Sequence, residues 1–198
     1  QGNLQEALVL GNTLANQFPN NPNIPNVLGA VYAGLGKYEE AIANYNKAIE
    51  LKPDYAEAHN NLGNALNELG RHEEAIVSYN KLIEIRPGYA EAYNNLGNAF
   101  DELGRHEEAI TSYNKAIEIR FDFPEAHSNL GNAFNKIGRH EESIASFNTA
   151  IGIRPDYAEA YNNLGNALNE IGKHEEAITS YNKAIELRPD YAESYNNL

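Results

Sequence analysis

The chain is one stretch of sequence written several times. Residues 56–89, AEAHNNLGNALNELGRHEEAIVSYNKLIEIRPGY, recur 34 positions later as AEAYNNLGNAFDELGRHEEAITSYNKAIEIRFDF. They recur again over 124–157 and 158–191, and residues 22–55 are a looser copy. A fixed period in this range signals an array of small units, each stacked on its neighbours. One unit is too small to bury its apolar face alone, so stability is a sum of repeat and interface terms. The chain is expected to be a single array: five full repeats (22–55, 56–89, 90–123, 124–157, 158–191), the second helix of a truncated repeat over 1–21, and the start of another over 192–198. With no Met in the chain and Gln1 in first position, it reads as a fragment of something longer. Uncapped ends exposing Leu4, Leu8 and Leu198 lead to an expectation of end-to-end self-association.

Each unit reads as two helices. Apolar residues recur at helical spacing at Ala58, Leu62, Ala65, Leu66 and Leu69, then at Ala75, Ile76, Tyr79 and Ile83. Asp54 with Glu57 three residues later reads as a capping box, repeated at Asp122–Glu125, Asp156–Glu159 and Asp190–Glu193. Gly70 is placed to end the first helix, Glu73 and Glu74 open the second, and Pro87 follows its end. Gly63 and Ala75 are small enough to let the helices approach, with Leu62, Leu66 and Tyr79 filling the space. Truncating Leu62 or Leu96 should therefore be costly. The irregular joints are Asn20–Pro25 and Arg120–Pro124, where Phe121 and Phe123 stand for the usual Pro and Tyr.

This unit resembles the tetratricopeptide repeat, with its period of 34 and its pattern W-x2-L-G-x2-Y…A-x3-F…P. The pattern falls on His59, Leu62, Gly63, Leu66, Ala75, Tyr79 and Pro87. It returns at Tyr93, Leu96, Gly97, Phe100, Ala109 and Tyr113, with Phe121 at the Pro position. The next copies carry it at His127, Leu130, Gly131, Phe134, Phe147 and Pro155, with Ser143 for Ala, and at Tyr161, Leu164, Gly165, Leu168, Ala177, Tyr181 and Pro189. The first copy keeps Leu28, Gly29, Tyr32, Ala41, Tyr45 and Pro53 but has Pro25 at the large aromatic position. The resemblance implies an all-α, right-handed solenoid of antiparallel helix pairs, whose first helices line a concave peptide-binding groove.

Around the first helix, Glu57, Asn60, Asn61, Asn64, Asn67 and Glu68 share an arc opposite the apolar stripe. The arc recurs as Asn94, Asn95, Asn98, Asp101 and Glu102; as Ser128, Asn129, Asn132, Asn135 and Lys136; and as Asn162, Asn163, Asn166, Asn169 and Glu170. Asn is a weak helix former, but its amide both donates and accepts, which suits a peptide backbone. The face is similar to the asparagine ladder of the repeat domain in O-linked N-acetylglucosamine transferase, which grips extended backbone. The candidate contact residues are Asn60, Asn61, Asn64, Glu68, Asn94, Asn95, Asn98, Glu102, Asn129, Asn132, Asn162, Asn163, Asn166 and Glu170. The competing reading is a solvated face copied by duplication. Family members that clamp a C-terminal carboxylate use Lys and Arg on this face; here Lys136 is the exception among Asn, which disfavours a clamp. The first copy has Val27, Ala30 and Ala33 instead, so that end should be less polar.

The formal net charge of −13 disfavours nucleic acid and anionic membrane surfaces as partners. It favours a neutral or basic protein segment. There is no Cys, no nucleophile elbow and no phosphate loop, and the carboxylates form a solvated helix-start pattern. His72, His106, His140 and His174 sit one repeat apart, too far to share a metal ion, and are expected to pack as Tyr38 does; His59 and His127 are expected between helices. The expectation is a non-catalytic protein–protein interaction scaffold, cytoplasmic, with no cofactor. The alternatives are a substrate-recruiting arm of a larger enzyme, such as a glycosyltransferase or protease, and a designed or self-assembling array without ligand.

Overall fold

The computed structural model describes residues 2–198; Gln1, with its expectation about the start of the chain, lies outside them. Every regular element among the described residues is a helix: α1 (Gly2–Gln17), α2 (Asn23–Gly34), α3 (Tyr38–Leu51), α4 (Ala56–Glu68), α5 (His72–Ile85), α6 (Ala90–Glu102), α7 (His106–Ile119), α8 (Pro124–Lys136), α9 (His140–Ile153), α10 (Ala158–Glu170), α11 (His174–Leu187) and α12 (Ala192–Asn197). Packing divides the chain into two compact units, residues 1–99 and 100–198, with the division inside α6. In the first unit α2 packs on α3, α3 on α4 and α4 on α5; in the second α7 packs on α8, α8 on α9, α9 on α10 and α10 on α11. Each partner follows its predecessor through a short turn, so neighbours run antiparallel.

The turn inside each pair is set by one glycine. Gly36, Gly70, Gly104, Gly138 and Gly172 have φ of 72–77°, a region costly for residues with a Cβ. At Gly70 the backbone N–H bonds Asn67 O at 2.9 Å and that of Arg71 bonds Leu66 O at 2.9 Å. This is the two-bond helix end that satisfies orphan carbonyls. Arg71 then returns to Glu74 through Nε and Nη2, both at 2.7 Å.

The helix starts differ from the sequence expectation. Tyr55, not Asp54, occupies the N-cap of α4, and no side chain caps it. Phe123, Tyr157 and Tyr191 hold the same place in α8, α10 and α12, again without a side-chain cap. The Asp54 carbonyl accepts from Ala56 N–H at 3.0 Å, while Glu57 Oε1 accepts from Asn26 Nδ2 of the preceding repeat at 3.2 Å. The carboxylate expected to complete a capping box bonds the neighbouring repeat instead. Glu125 pairs instead with Arg154 of its own repeat, which holds its carboxyl below the usual carboxylate range against the opposing effect of burial.

In the pairs α2–α3, α4–α5, α8–α9 and α10–α11 an aromatic ring is laid on a glycine. A Cβ built on Gly63 would lie 2.5 Å from Tyr79 Cε1, and one on Gly165 2.4 Å from Tyr181 Cε1. Gly29 meets Tyr45, and Gly131 meets Phe147, in the same way. Burial raises the Tyr79, Tyr113 and Tyr181 hydroxyls above the ordinary tyrosine range and pushes Tyr45 up to about 12. At the ends, Leu8 is not exposed as expected: α1 turns it inward onto Leu28 and Val31, with Leu4 packed beside them. Leu198 is exposed. The last helix, α12, is short but packs on α10 and α11, with Ser194 fully buried.

Two deviant positions give local predictions. Ser143, in the place of the small Ala, is fully buried and its Oγ has no partner. Ser143→Ala should stabilise by about 1 kcal/mol, because it removes a desolvated hydroxyl at nearly constant volume; an unchanged or lowered denaturation midpoint would contradict this. Phe121 is exposed, with its ring edge-on to His127 at 5.4 Å. Arg120 before it is extended (φ −139°, ψ 97°), as are Lys52 and Arg154 before their prolines, which is what a following Pro requires. Phe121→Pro should therefore change stability by less than about 1 kcal/mol, since removing the edge-on ring is offset by a stiffer unfolded chain. A melting temperature lower by ten degrees or so would refute it.

Candidate functional site

The asparagine arc is organised in three depths. The innermost is the first Asn of each pair. Asn162 is fully buried and Asn94 nearly so, so neither lines an open surface. Asn162 Oδ1 accepts from Ser194 Oγ (2.9 Å) and Asn197 Nδ2 (3.2 Å), and its Nδ2 donates to Asn163 Oδ1 (3.3 Å). Asn26 in the first copy does the same work, donating to Tyr55 Oη (3.3 Å) and Glu57 Oε1 (3.2 Å) and accepting from Asn61 Nδ2 (3.2 Å). Asn60 is half-buried and its Oδ1 is shielded without a partner. At Asn26 and Asn162 this position faces the start of the next repeat's first helix. Placing Asn94 and Asn162 on an open face is therefore corrected, while Asn60 stays half-exposed, as Asn61 is. Burial withdraws Asn94 and Asn162 from it, and at Asn26 and Asn162 the amide pairs with the next helix.

The outer layer is the second and third Asn. Asn95 Nδ2 donates to Asn64 Oδ1 (3.2 Å), Asn163 to Asn132 (3.1 Å) and Asn197 to Asn166 (3.1 Å). In two of the pairs Tyr79 Oη donates to Asn64 Oδ1 (2.8 Å) and Tyr181 Oη to Asn166 Oδ1 (2.9 Å). Within each unit the arc is thus cross-linked by hydrogen bonds from repeat to repeat. The oxygens of Asn64 and Asn166 are each held by a Tyr and by the next Asn and that of Asn132 by Asn163, while their amide NH2 groups have no protein partner among the described residues; Asn61 and Asn95 are the reverse, giving Nδ2 to the preceding repeat and keeping Oδ1 open. In the first unit, Asn64, Asn67, Glu68, Tyr79, Asn95 and Asn98 line a polar pocket of about 280 Å³. Glu68, Glu102 and Glu170 are exposed, and Asn129, like Asn61, is half-exposed.

The last Asn of each arc clasps the intra-pair turn. His72 Nδ1 lies 2.8 Å from Asn67 Oδ1, His140 2.7 Å from Asn135 and His174 2.7 Å from Asn169. The carboxamide oxygen accepts, so Nδ1 carries the proton. These histidines tie helix to helix rather than simply packing. The signal was present in the sequence: the copy with Tyr38 for His has Ala33 for Asn, so both halves of the clasp are absent together. In α6 Asp101 replaces Asn, pairing with His106 Nδ1 at 2.7 Å and with Lys136 Nζ at 2.7 Å. The one basic residue on the arc is therefore an inter-repeat ion pair. His59 and His127 do lie between elements, each giving Nε2–H to a backbone carbonyl, Pro53 and Phe121, at 2.9 Å. Burial lowers the His127 pKa against the opposing effect of its bond to the Phe121 carbonyl.

Among the described residues no three His, Asp or Glu side chains come together to hold a metal ion. No described helix is long and apolar enough to cross a membrane.

The TPR repeat model matches residues 29–70, 131–172 and 165–198, and the Tetratricopeptide repeat model matches 54–120. The chain belongs to the tetratricopeptide repeat (TPR) family. No curated protein matches it. Similar solved structures are TPR proteins. MamA is 28% identical over 83% of this chain and 96% of its own, with a TM-score of 0.76. YrrB, described as a TPR protein with an unusual peptide-binding site, is 21% identical over 94% and 96%, with a TM-score of 0.74. A thermophilic TPR protein of Thermus thermophilus is 23% identical over 88% and 95%, with a TM-score of 0.70. The fold is that of TPR solenoids, and TPR arrays generally serve as protein-interaction scaffolds rather than catalysts.

Proposed function

We propose that this TPR chain binds an extended segment of a partner protein on the face of its first helices and performs no chemistry itself. The observation that carries this reading is the outward amide of Asn64 in the first unit and, in the second, those of Asn132 and Asn166, oriented by Tyr79, Tyr181 and the neighbouring Asn. Polar groups whose rotamers are already held bind at a lower entropic cost. Asn61, Asn95 and Asn98 stand with it in the first unit and Asn129 and Asn163 in the second, and Glu68 in the first and Glu102 and Glu170 in the second favour a neutral or basic segment. The same fold in YrrB carries a peptide-binding site.

The test is a displayed library of random peptides of about 15 residues, long enough to cross several rungs. Peptides should be enriched on the intact chain. The triple variant N64A/N132A/N166A should bind them roughly tenfold or more weakly, from about 1 kcal/mol per lost hydrogen bond, with its helicity kept. No enrichment, or equal binding by a folded triple variant, would overturn the reading; the former outcome belongs to an array without ligand.

A further inference from the structure

Resting on that reading, we infer that the polar pocket of the first unit takes the guanidinium of an arginine side chain carried by the bound segment. The pocket is walled by Asn64, Asn67 and Glu68 of α4, Tyr79 of α5, and Asn95 and Asn98 of α6. Two features of it lead there.

The first is charge. Glu68 is the one ionised group in the wall, and no cation shares the pocket with it. Its carboxylate is exposed, and no ion pair among the described residues includes it. The side chain turns toward the pocket: after burial, the Glu68 charge is the influence that raises the Tyr79 hydroxyl. The pocket therefore carries one uncompensated negative charge and suits a ligand with one positive charge. The same position in the fourth repeat holds Lys136, whose Nζ already bonds Asp101 Oδ2 at 2.7 Å. A cation has no place there.

The second is the direction of the open hydrogen bonds. Asn95 gives Nδ2 to Asn64 Oδ1 at 3.2 Å and keeps its own Oδ1 open. With the two oxygens of Glu68, this sets acceptors from two helices around one space. Asn67 Oδ1 is taken by His72 Nδ1 at 2.8 Å. Asn64 Oδ1 is taken by Tyr79 Oη and Asn95 Nδ2, so Asn64 offers N–H. The ligand must then bring donors to Glu68 and Asn95 and an acceptor to Asn64. A lysine ammonium brings three donors from one point. An arginine brings five in a planar fork, which pairs a carboxylate through two parallel bonds and keeps donors on its other edge for a second acceptor. The segment's backbone carbonyl is the acceptor for Asn64. An arginine within a peptide thus answers both signs of the pocket.

The displayed library is sorted on the intact chain, on Glu68→Gln and on Glu73→Gln. Glu73 is exposed in the first turn of α5 and outside the pocket, so its variant reports the general pull of the chain's net charge of −13. Peptides from the intact chain and from Glu73→Gln should share an arginine at one position; those from Glu68→Gln should not. The most enriched peptide is then titrated by fluorescence anisotropy, with its arginine replaced in turn by lysine and by uncharged citrulline. Each replacement should weaken binding about fivefold on the intact chain. On a Glu68→Gln variant of unchanged helicity the same replacements should matter by less than about twofold. A Glu68 that merely supported the fold would weaken all three peptides alike. Arginine-free peptides from the intact chain, lysine serving as well as arginine, or an arginine preference kept on Glu68→Gln or lost equally on Glu73→Gln overturns the inference and leaves peptide binding standing. No enriched peptide on the intact chain overturns both readings.

Discussion

Gly63→Ala is expected to cost about 2–3 kcal/mol, at the upper end of what one added methyl costs in a packed interior. The new Cβ would lie 2.5, 2.8 and 2.9 Å from Cε1, Cδ1 and Cζ of Tyr79. That ring is only 2% exposed and its hydroxyl is tied to Asn64, so it cannot swing aside without breaking that bond. Either the helices separate or the ring leaves its rotamer. The melting temperature should fall by about 5–10 °C, at roughly 2–4 °C per kcal/mol for a chain of this size. Gly165→Ala should behave alike against Tyr181. Gly152→Ala provides the opposite sign. Gly152 lies in α9, exposed, with nothing within 4 Å of a built Cβ, so the variant should gain about 0.5–1 kcal/mol from helix propensity alone. Comparable losses at Gly63 and Gly152, or none at Gly63, would show that the ring does not set the helix spacing.

Leu130→Ala should cost about 3–5 kcal/mol and Leu62→Ala about 2–3 kcal/mol, both measured by chemical denaturation. The two leucines hold the same place in their repeats and are similarly buried. Leu130 sits within a closed cluster of Ala109, Ile110, Tyr113, Ala133 and Phe134, flanked by Phe100, Ile117 and Ile137. Removing its side chain leaves a cavity that rigid neighbours cannot fill. Leu62 instead floors an open groove between α3 and α5, lined also by Ile49, His59 and Val77 and holding about 500 Å³. Water and shifting side chains can occupy the space it leaves, which lowers the cost. Equal losses at the two sites would mean that the groove closes in solution.

The helices and their order follow from the sequence alone. A period of 34 with apolar spacing and a glycine at each turn fixes two helices per unit, because only αL-tolerant Gly fits positions such as Gly70. The packing of Tyr79 on Gly63 was legible for the same reason: a missing side chain opposite a large one. The helix caps were not. Asp54 and Glu57 have the letters of a capping box, but a carboxylate near two possible donors takes the one tertiary packing presents, and Glu57 takes Asn26.

The candidate site divides along the same line. Composition and the 100° rule placed the asparagines on one arc. They could not say that Asn162 is sealed between repeats while Asn166, four residues on, is open, because that depends on where the next repeat lands. Nor could they give the direction of each amide. Two chemically different ends of one side chain look alike in sequence, and only bonds from residues about 31 positions away, such as Asn197 to Asn166, decide which end faces out. The array is thus a property of local sequence, while the hydrogen-bond polarity of its face is a property of how one repeat meets the next.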